Sequence, residues 1–299
     1  MISLPHPTSR TDAAPPPGPG EVLATRIGLL HRRLTELGSV VVAFSGGADS
    51  ALLLAAAVRA LGPDHVIAAT GDSASLSRRE RGAVRDIAAE LGANHVFVGT
   101  HELDTAGYRE NSTSRCWFCK DELATRLREL ADRVGFAQVA TGTNHDDLAD
   151  PFRPGIRAAA LQGVVTPLAD VGLSKEQVRA ASRAWSLPTW DKPASPCLSS
   201  RVAYGLTITR ERLARVDAAE QALRDSLRGA GIASYDLRVR DLGDSALIQV
   251  DRPAVAAVAA CREALDAVRA TGFASVEVDP RGFRSGSLNQ ITERITSGS

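Results

Sequence analysis

The sequence predicts an α/β protein: a parallel five-stranded sheet with helices on both faces, followed by a smaller C-terminal α+β domain. Three observations carry this. Short apolar runs alternate with helix-length segments from residue 40 to about residue 140. A tight turn, Ser45-Gly46-Gly47, joins the first run to an Ala/Leu-rich helix. Beyond Gly205 the order changes to helix, strand, strand, helix, strand. Strand–helix alternation implies right-handed crossovers, and hence parallel strands covered on both faces.

Residues 1–20 are rich in Pro, Gly, Ser and Thr, and a disordered tail is expected because they cannot bury enough apolar surface to order. Helical periodicity follows over 21–37, with Val22, Ile27, Leu30 and Leu34 apolar and Gly38 as the stop. Residues 40–44 are continuously apolar, as a strand buried on both faces would be. Asp49 or Ser50 opens the next helix, which ends near Gly62. Strands are expected at 65–70, 95–98 and 138–140, alternating with helices at 78–91 and 120–134.

The pattern loosens from 144 to 167 and resumes as a helix over 175–185. Residues 187–201 contain Pro188, Pro193 and Pro196 and read as irregular backbone. Long ordered loops in compact domains are usually functional. The second unit reads as a helix at 209–227, strands at 235–240 and 246–250 around a Gly243-Asp244 turn, a helix at 253–270 and a strand at 275–278. The expected organisation is a tail (1–20), a first domain (21–203), a second (204–290) and a short tail (291–299).

Composition narrows the function. Lys+Arg and Asp+Glu are both 35, so no global basic field for nucleic acid exists. No apolar run is long enough to span a membrane and no secretory segment is evident, so a cytoplasmic location is expected. Four cysteines in 299 residues are too few for a disulfide framework. Lys120, Lys175 and Lys192 are the only lysines, a bias that reads as genome composition and carries no functional expectation.

The strongest motif is Ser45-Gly46-Gly47-Ala48-Asp49-Ser50. Its glycines let backbone N–H groups approach an anion, and the helix that follows adds free N–H groups and the positive end of its dipole. Ser45 and Ser50 supply hydroxyls. Asp49 beside phosphates makes sense as a Mg²⁺ partner. The lysine of a Walker A loop is missing, which argues against a kinase or GTPase. The motif resembles the PP-loop of N-type ATP pyrophosphatases, which adenylate a substrate oxygen and release pyrophosphate. That resemblance implies ATP phosphates cradled by Ser45, Gly46, Gly47, Asp49 and Ser50, with Thr70, Ser73 and Gly142 also at the nucleotide.

Cys116-Trp117-Phe118-Cys119 is a CxxC, placed just before a helix whose N-terminus is expected to lower the thiol pKa values. Alone it leaves zinc, redox and coincidental readings open. Cys197 lies in a proline-rich loop where a reactive or ligating thiol belongs. Three thiolates would leave one iron of a [4Fe–4S] cluster open. Cys261, in an Ala-rich segment, reads as a small buried hydrophobe.

Several segments together resemble the LarE family of ATP-dependent sulfur transferases. These are Arg115 to Lys120, Gly142-Thr143-Asn144 with Asp146-Asp147, Arg153-Pro154-Gly155, Thr166-Pro167-Leu168, the stretch from Leu187 to Arg201, and Gly282 to Asn289. The likeness covers about residues 21 to 290. It implies conversion of the carboxylates of pyridinium-3,5-biscarboxylic acid mononucleotide to thiocarboxylates, in biosynthesis of the nickel-pincer nucleotide of lactate racemase. Within that family, sulfur comes either from the cysteine matching Cys197, which is left as dehydroalanine, or from a [4Fe–4S]-bound sulfide. Cys116, Cys119 and Cys197 match the three-cysteine pattern of the cluster branch, which is favoured here. The resemblance further implies a substrate site with Trp117, Ser200, Arg201, Glu220, Arg238 and Arg240, and a homo-oligomer, often a hexamer. Gln249 stands where the family often has Glu, which puts metal binding by that patch in doubt. For Arg238 and Arg240 a solvated strand face is the plainer alternative.

Three other functions fit parts of the sequence. A tRNA thiolase of the same superfamily would need a basic face. An amide ligase of the NAD or GMP synthetase type would use ammonia and need no cysteine. A non-catalytic nucleotide-binding module would bind ATP without releasing pyrophosphate.

Overall fold

The computed structural model describes residues 18–149, 154–193 and 195–284. The expected tails, apart from residues 18–20, lie outside these, as do Arg153, Ala194 and the segment 285–290.

The chain opens with α1 (Pro19–Leu37), which begins inside the expected tail with a proline at its first position, where the missing N–H costs nothing. There follow β1 (Val40–Ala43), α2 (Ala48–Leu61), β2 (Val66–Asp72), α3 (Arg78–Glu90) and β3 (Asn94–Gly99). Next come α4 (Ala106–Arg109), α5 (Arg115–Val134) and β4 (Gln138–Thr141). The loosened region holds three short helices, α6 (His145–Leu148), α7 (Pro154–Leu161) and α8 (Pro167–Asp170), before α9 (Lys175–Ala184).

The first sheet is parallel, in the order β3-β2-β1-β4. Val40, Val41 and Val42 are all 0% exposed. Val40 and Val42 pack with Leu30, Leu34 and Leu52 on one face, and Val41 packs with Leu127 and Val139 on the other. Burial on both faces is why the strand reads as an unbroken apolar run. The chain runs outward from β1 to β3, then returns to place β4 on the other side of β1. The end of β1 is therefore the switch point of the sheet, where open α/β sheets bind ligands.

Four strands, not five, are hydrogen-bonded here among the described residues. The fifth position is reduced to a single bridge from Ala140 to Val165. Val165 donates to Val139 at 2.9 Å and accepts from Thr141 at 3.0 Å. Pro167, which has no N–H to continue a ladder, then starts α8.

The second unit comprises α10 (Arg210–Gly229), β5 (Leu237–Asp241), β6 (Ser245–Val250), α11 (Val255–Ala260), α12 (Arg262–Arg269) and β7 (Ser275–Val278). Its sheet is β5-β6-β7, antiparallel then parallel. Leu223, Val239, Ile248 and Val268 are in its core. The single helix expected over 253–270 is two, broken at Cys261, whose ψ is 88°. No residue in that Ala-rich stretch signals the break. Cys261 is half-buried and packs against this core. The two units are joined at Asp241, which is fully buried. Its carbonyl accepts from Ala203 at 2.9 Å, and its carboxylate from Arg212 at 2.9 Å and Arg215 at 2.7 Å.

Candidate active site

The phosphate loop follows β1 at that switch point. Gly46 has φ 67°, in the left-handed region that glycine enters without a Cβ penalty. A Cβ there would lie 2.9 Å from Val84 Cγ1. Ser50 Oγ donates to the Gly47 carbonyl at 3.1 Å and lies 3.2 Å from Ser45 Oγ. A Cβ on Gly142, just past β4, would stand 2.7 Å from Ser50 N. Only glycine lets the end of β4 come this close to the loop.

Two lysines from distant segments converge on the loop. Asp49 accepts from Asn144 Nδ2 at 3.1 Å and from Lys175 Nζ. Lys175 is the first residue of α9, and its N–H is held by Asp146 Oδ2 at 2.8 Å. Lys192 Nζ donates to the Gly46 carbonyl at 3.1 Å and to Glu80 Oε2 at 3.0 Å. The cation missing from the loop's own sequence thus comes from elsewhere in the chain. A signal was present: all 35 basic residues but three are arginine, and the third lysine, Lys120, follows Cys119. A compact ammonium and a forked guanidinium are not interchangeable, so lysines kept in an arginine-dominated chain mark places that need a point charge.

α5 begins at Arg115, so Cys116 and Cys119 lie within the helix and not ahead of it, three residues apart on one face. Arg115 is buried and donates to the Ser199 carbonyl at 2.9 Å and to Asn111 Oδ1. Asn111, fully buried at φ 54°, donates to the carbonyls of Ala203 at 2.8 Å and Leu206 at 3.1 Å. Tyr108 Oη lies 2.6 Å from Ser199 Oγ. From the other side, Leu198 N–H donates to the Ser75 carbonyl at 2.8 Å. These bonds draw the Cys197 segment onto the CxxC helix. The residues that do so, Tyr108, Asn111 and Ser75, carried no motif that would have singled them out.

Burial pushes the Cys119 thiol up to about 12, and nearby Cys197, Glu102 and Cys116 add to this against the ammonium of Lys120. The lowering expected of a helix N-terminus is outweighed at this position. Cys116 and Cys197 are exposed. Among the described residues, no three His, Cys, Asp or Glu side chains are placed to hold one metal ion. A [4Fe–4S] group instead takes one thiolate per iron and suits thiols that are neighbours without sharing a centre. Trp117 is half-buried between the two cysteines of α5.

Buried arginines from both units meet where the Cys197 segment faces the second unit. Arg201 pairs with Glu220 (Nε to Oε1, 2.9 Å) and donates to the carbonyls of Pro196 and, at 3.1 Å, Cys197. Ser200 Oγ donates to the same Cys197 carbonyl at 2.7 Å. Arg240 donates to Gln249 Oε1 at 2.9 Å and to the Ser200 carbonyl at 2.8 Å. Arg238 donates to the Leu237 carbonyl at 2.8 Å and lies over the ring of Phe283. Both β5 arginines are buried, so the solvated strand face is overturned. Gln249 is fully buried and donates to Asp279 Oδ2 at 2.9 Å while accepting from Arg240. A carboxylate there could not do both.

Thr70 is buried, donating to the Phe44 carbonyl at 2.7 Å and contacting His95 Nε2 at 2.9 Å. It braces the root of the loop. Ser73 Oγ lies 2.8 Å from Ser75 Oγ, and Ser75 holds the backbone of Leu198. The end of β2 is thus tied to the Cys197 segment.

No family model matches the chain. Among described residues, no helix is long and apolar enough to cross a membrane. A protein of Synechocystis sp. with no assigned function is 37% identical over 273 residues, 90% of this chain and 99% of its own. One from Methanocaldococcus jannaschii, also without assigned function, is 26% identical over 176 residues, 59% of this chain and 66% of its own. The pyridinium-3,5-bisthiocarboxylic acid mononucleotide synthase of Lactiplantibacillus plantarum is 33% identical over 268 residues, 89% of this chain and 95% of its own. Likeness of that depth along nearly the whole of both sequences settles the kinship: this chain belongs to the LarE family, that of the pyridinium-3,5-bisthiocarboxylic acid mononucleotide synthases.

Proposed function

We propose that this chain is an ATP-dependent sulfur transferase acting on pyridinium-3,5-biscarboxylic acid mononucleotide, for nickel-pincer nucleotide biosynthesis. The observation that carries this is the fastening of the Cys197 segment to the phosphate loop through Lys192. That proximity of the Ser45–Ser50 loop and the Cys197 segment supports the reading, since adenylation followed by sulfur transfer requires the two to be neighbours.

In the first step a substrate carboxylate oxygen attacks the α-phosphorus of ATP. The bond to the bridging β-phosphate oxygen breaks, and pyrophosphate leaves against the loop N–H groups and Lys175. Asp49 fits a Mg²⁺ partner, since one carboxylate plus substrate phosphates is how that ion is commonly held. In the second step sulfur attacks the acyl carbon and AMP leaves. Cys116, Cys119 and Cys197 would hold a [4Fe–4S] group, which when bound would supply sulfide as the nucleophile. Without it, the Cys197 thiolate attacks. Loss of its Cα proton and rupture of Cβ–S then releases the thiocarboxylate and leaves dehydroalanine. A cytoplasmic homo-oligomer is part of the same proposal.

The test is pyrophosphate release and thiocarboxylate formation from ATP and the mononucleotide, with iron and sulfide analysis of anaerobically purified protein. Release that requires tRNA instead would point to a tRNA thiolase. Release with ammonia that survives Cys197→Ala would point to an amide ligase. An iron-free protein carrying dehydroalanine at 197 after turnover would replace the cluster with Cys197 as donor.

A further inference from the structure

A cleft open to solvent lies between the first turn of α3, the C-terminal half of α10, the start of β5 and the residues Lys192, Pro193 and Ser195. Its walls carry more cations than the acids around it can match. Lys192 is paired with Glu80 at 3.0 Å and Arg201 with Glu220 at 2.9 Å. Asp217 is already taken by Arg78, at 2.9 Å. Asp236 stands 3.9 Å from Arg238. Arg79 and Arg224 remain. The Arg79 side chain is exposed and makes no hydrogen bond or ion pair among the described residues. Arg224 donates to the Leu237 carbonyl at 3.3 Å. Burial, and then the guanidinium of Arg79, lower the Arg224 pKa and outweigh the opposing pull of the Glu220 carboxylate, as expected where cations outnumber acids.

We propose that Arg79 and Arg224, with Arg238, form a phosphomonoester site that grips the phosphate of the nucleotide substrate. Guanidinium forks match phosphate oxygens two at a time, and a dianion balances the two unmatched charges. ATP is not the occupant, because its phosphates belong to the glycine loop on the far side of the Lys192–Glu80 pair. The cleft also borders the Cys197 segment through Ser195 and Arg201. A mononucleotide anchored here by its phosphate could present a ring carboxylate to the loop and the sulfur donor together. This rests on the mononucleotide reading given above.

The experiment uses the full-length protein and the variants Arg79→Ala, Arg79→Lys and Arg224→Gln. Arg79 is exposed and unpaired, so its replacement leaves the fold intact. Inorganic phosphate is titrated calorimetrically, and KM is measured for ATP, for the mononucleotide and for the riboside that lacks the phosphate. The expected result is a loss of about tenfold in phosphate affinity and a rise of about tenfold in mononucleotide KM for Arg79→Ala and Arg224→Gln, with partial recovery in Arg79→Lys. The KM values for ATP and for the riboside should stay unchanged. Unaltered phosphate affinity and mononucleotide KM in both variants would overturn the site. Phosphate binding that depends on Arg79 and Arg224, in a protein that does not turn over the mononucleotide, would keep the anion site and overturn the substrate reading.

Discussion

Lys192 Nζ lies 3.1 Å from the carbonyl oxygen of Gly46, so the loop that bears Cys197 is fastened directly to the loop that would hold ATP. The anchor on the opposite side is Glu80, in the first turn of α3. Its two carboxylate oxygens accept from Lys192 Nζ at 3.0 Å and from Ser195 Oγ at 3.1 Å. Glu80 acts through Lys192 and Ser195 and is a positioning residue. Ser77 caps α3 independently, with its Oγ accepting from the Glu80 N–H at 3.2 Å, so removal of the carboxylate leaves the helix start in place.

Glu80→Ala should therefore separate the two half-reactions. Pyrophosphate release should stay near the parent rate, while thiocarboxylate formation falls by about a hundredfold, the penalty typical of a displaced reacting group. Glu80→Gln, which can still accept one hydrogen bond, should recover part of it. Equal losses in both half-reactions would show that Glu80 supports the fold and not the docking of the donor loop.

Lys175 and Asp49 should behave as a unit of the first half-reaction. Lys175→Ala removes the ammonium from Asp49 and from the approaching phosphates, and pyrophosphate release should fall about a hundredfold. Lys175→Arg should restore little, because a planar fork does not replace a compact ammonium at a crowded helix start. Alkylation of Cys197 in these variants should be unchanged. ATP-dependent pyrophosphate release that persists in Lys175→Ala would remove this lysine from the mechanism.

The turn at Ser45-Gly46-Gly47 and the helix start behind it were legible because their signals are local, all within six residues. Parallel strands were legible for a similar reason, since burial on both faces leaves a continuous apolar run. The expected count of five strands was too high by one, because Val165 forms only a single bridge and Pro167 ends the pairing. The start of α5 was missed because Arg115, Trp117 and Phe118 carry no helix signal of their own. Their placement is set by the Asn111–Arg115–Ser199 contacts, which span about ninety residues of sequence. Lys175 and Lys192 reach the loop from 126 and 146 residues away, a distance that no motif encodes. Arg238 and Arg240 were placed on one side of a strand by alternation alone. Their burial comes with distant partners, Ser200 and Gln249 for Arg240 and the Phe283 ring for Arg238, which periodicity does not report.

The cysteines should differ in reactivity in the metal-free protein. Cys116 and Cys197 are exposed, whereas the Cys119 thiol is held up at about 12. At pH 8 only about one Cys119 in ten thousand would be the reactive thiolate, and the fraction should rise tenfold per pH unit. Mass-resolved alkylation should label positions 116 and 197 first. The same shift has a sign in stability. The folded chain holds the Cys119 proton more tightly than the unfolded chain does. The resulting stabilisation is complete below the ordinary thiol range and is lost as pH rises toward about 12. Early labelling of Cys119 at neutral pH would contradict this.

Gln249 offers the sharpest test of the buried second-unit network. Its amide accepts from Arg240 at 2.9 Å and donates to Asp279 at 2.9 Å. Burial alone would push the Asp279 carboxyl up, but hydrogen bonds from Arg281 and Gln249 outweigh it and hold the carboxyl below its ordinary range. Gln249→Glu would keep the acceptor for Arg240 and place a second carboxylate against Asp279. The substitution should cost about 2–4 kcal/mol at neutral pH, read as a lowered melting temperature. The defect should shrink as pH falls, because protonating either carboxyl restores a donor between them. Gln249→Met, which loses both bonds without adding charge, should show a loss that does not depend on pH in this way. A Gln249→Glu protein as stable as the parent at pH 7 would mean that the site accepts a carboxylate, and that the amide is not what holds Asp279 ionised.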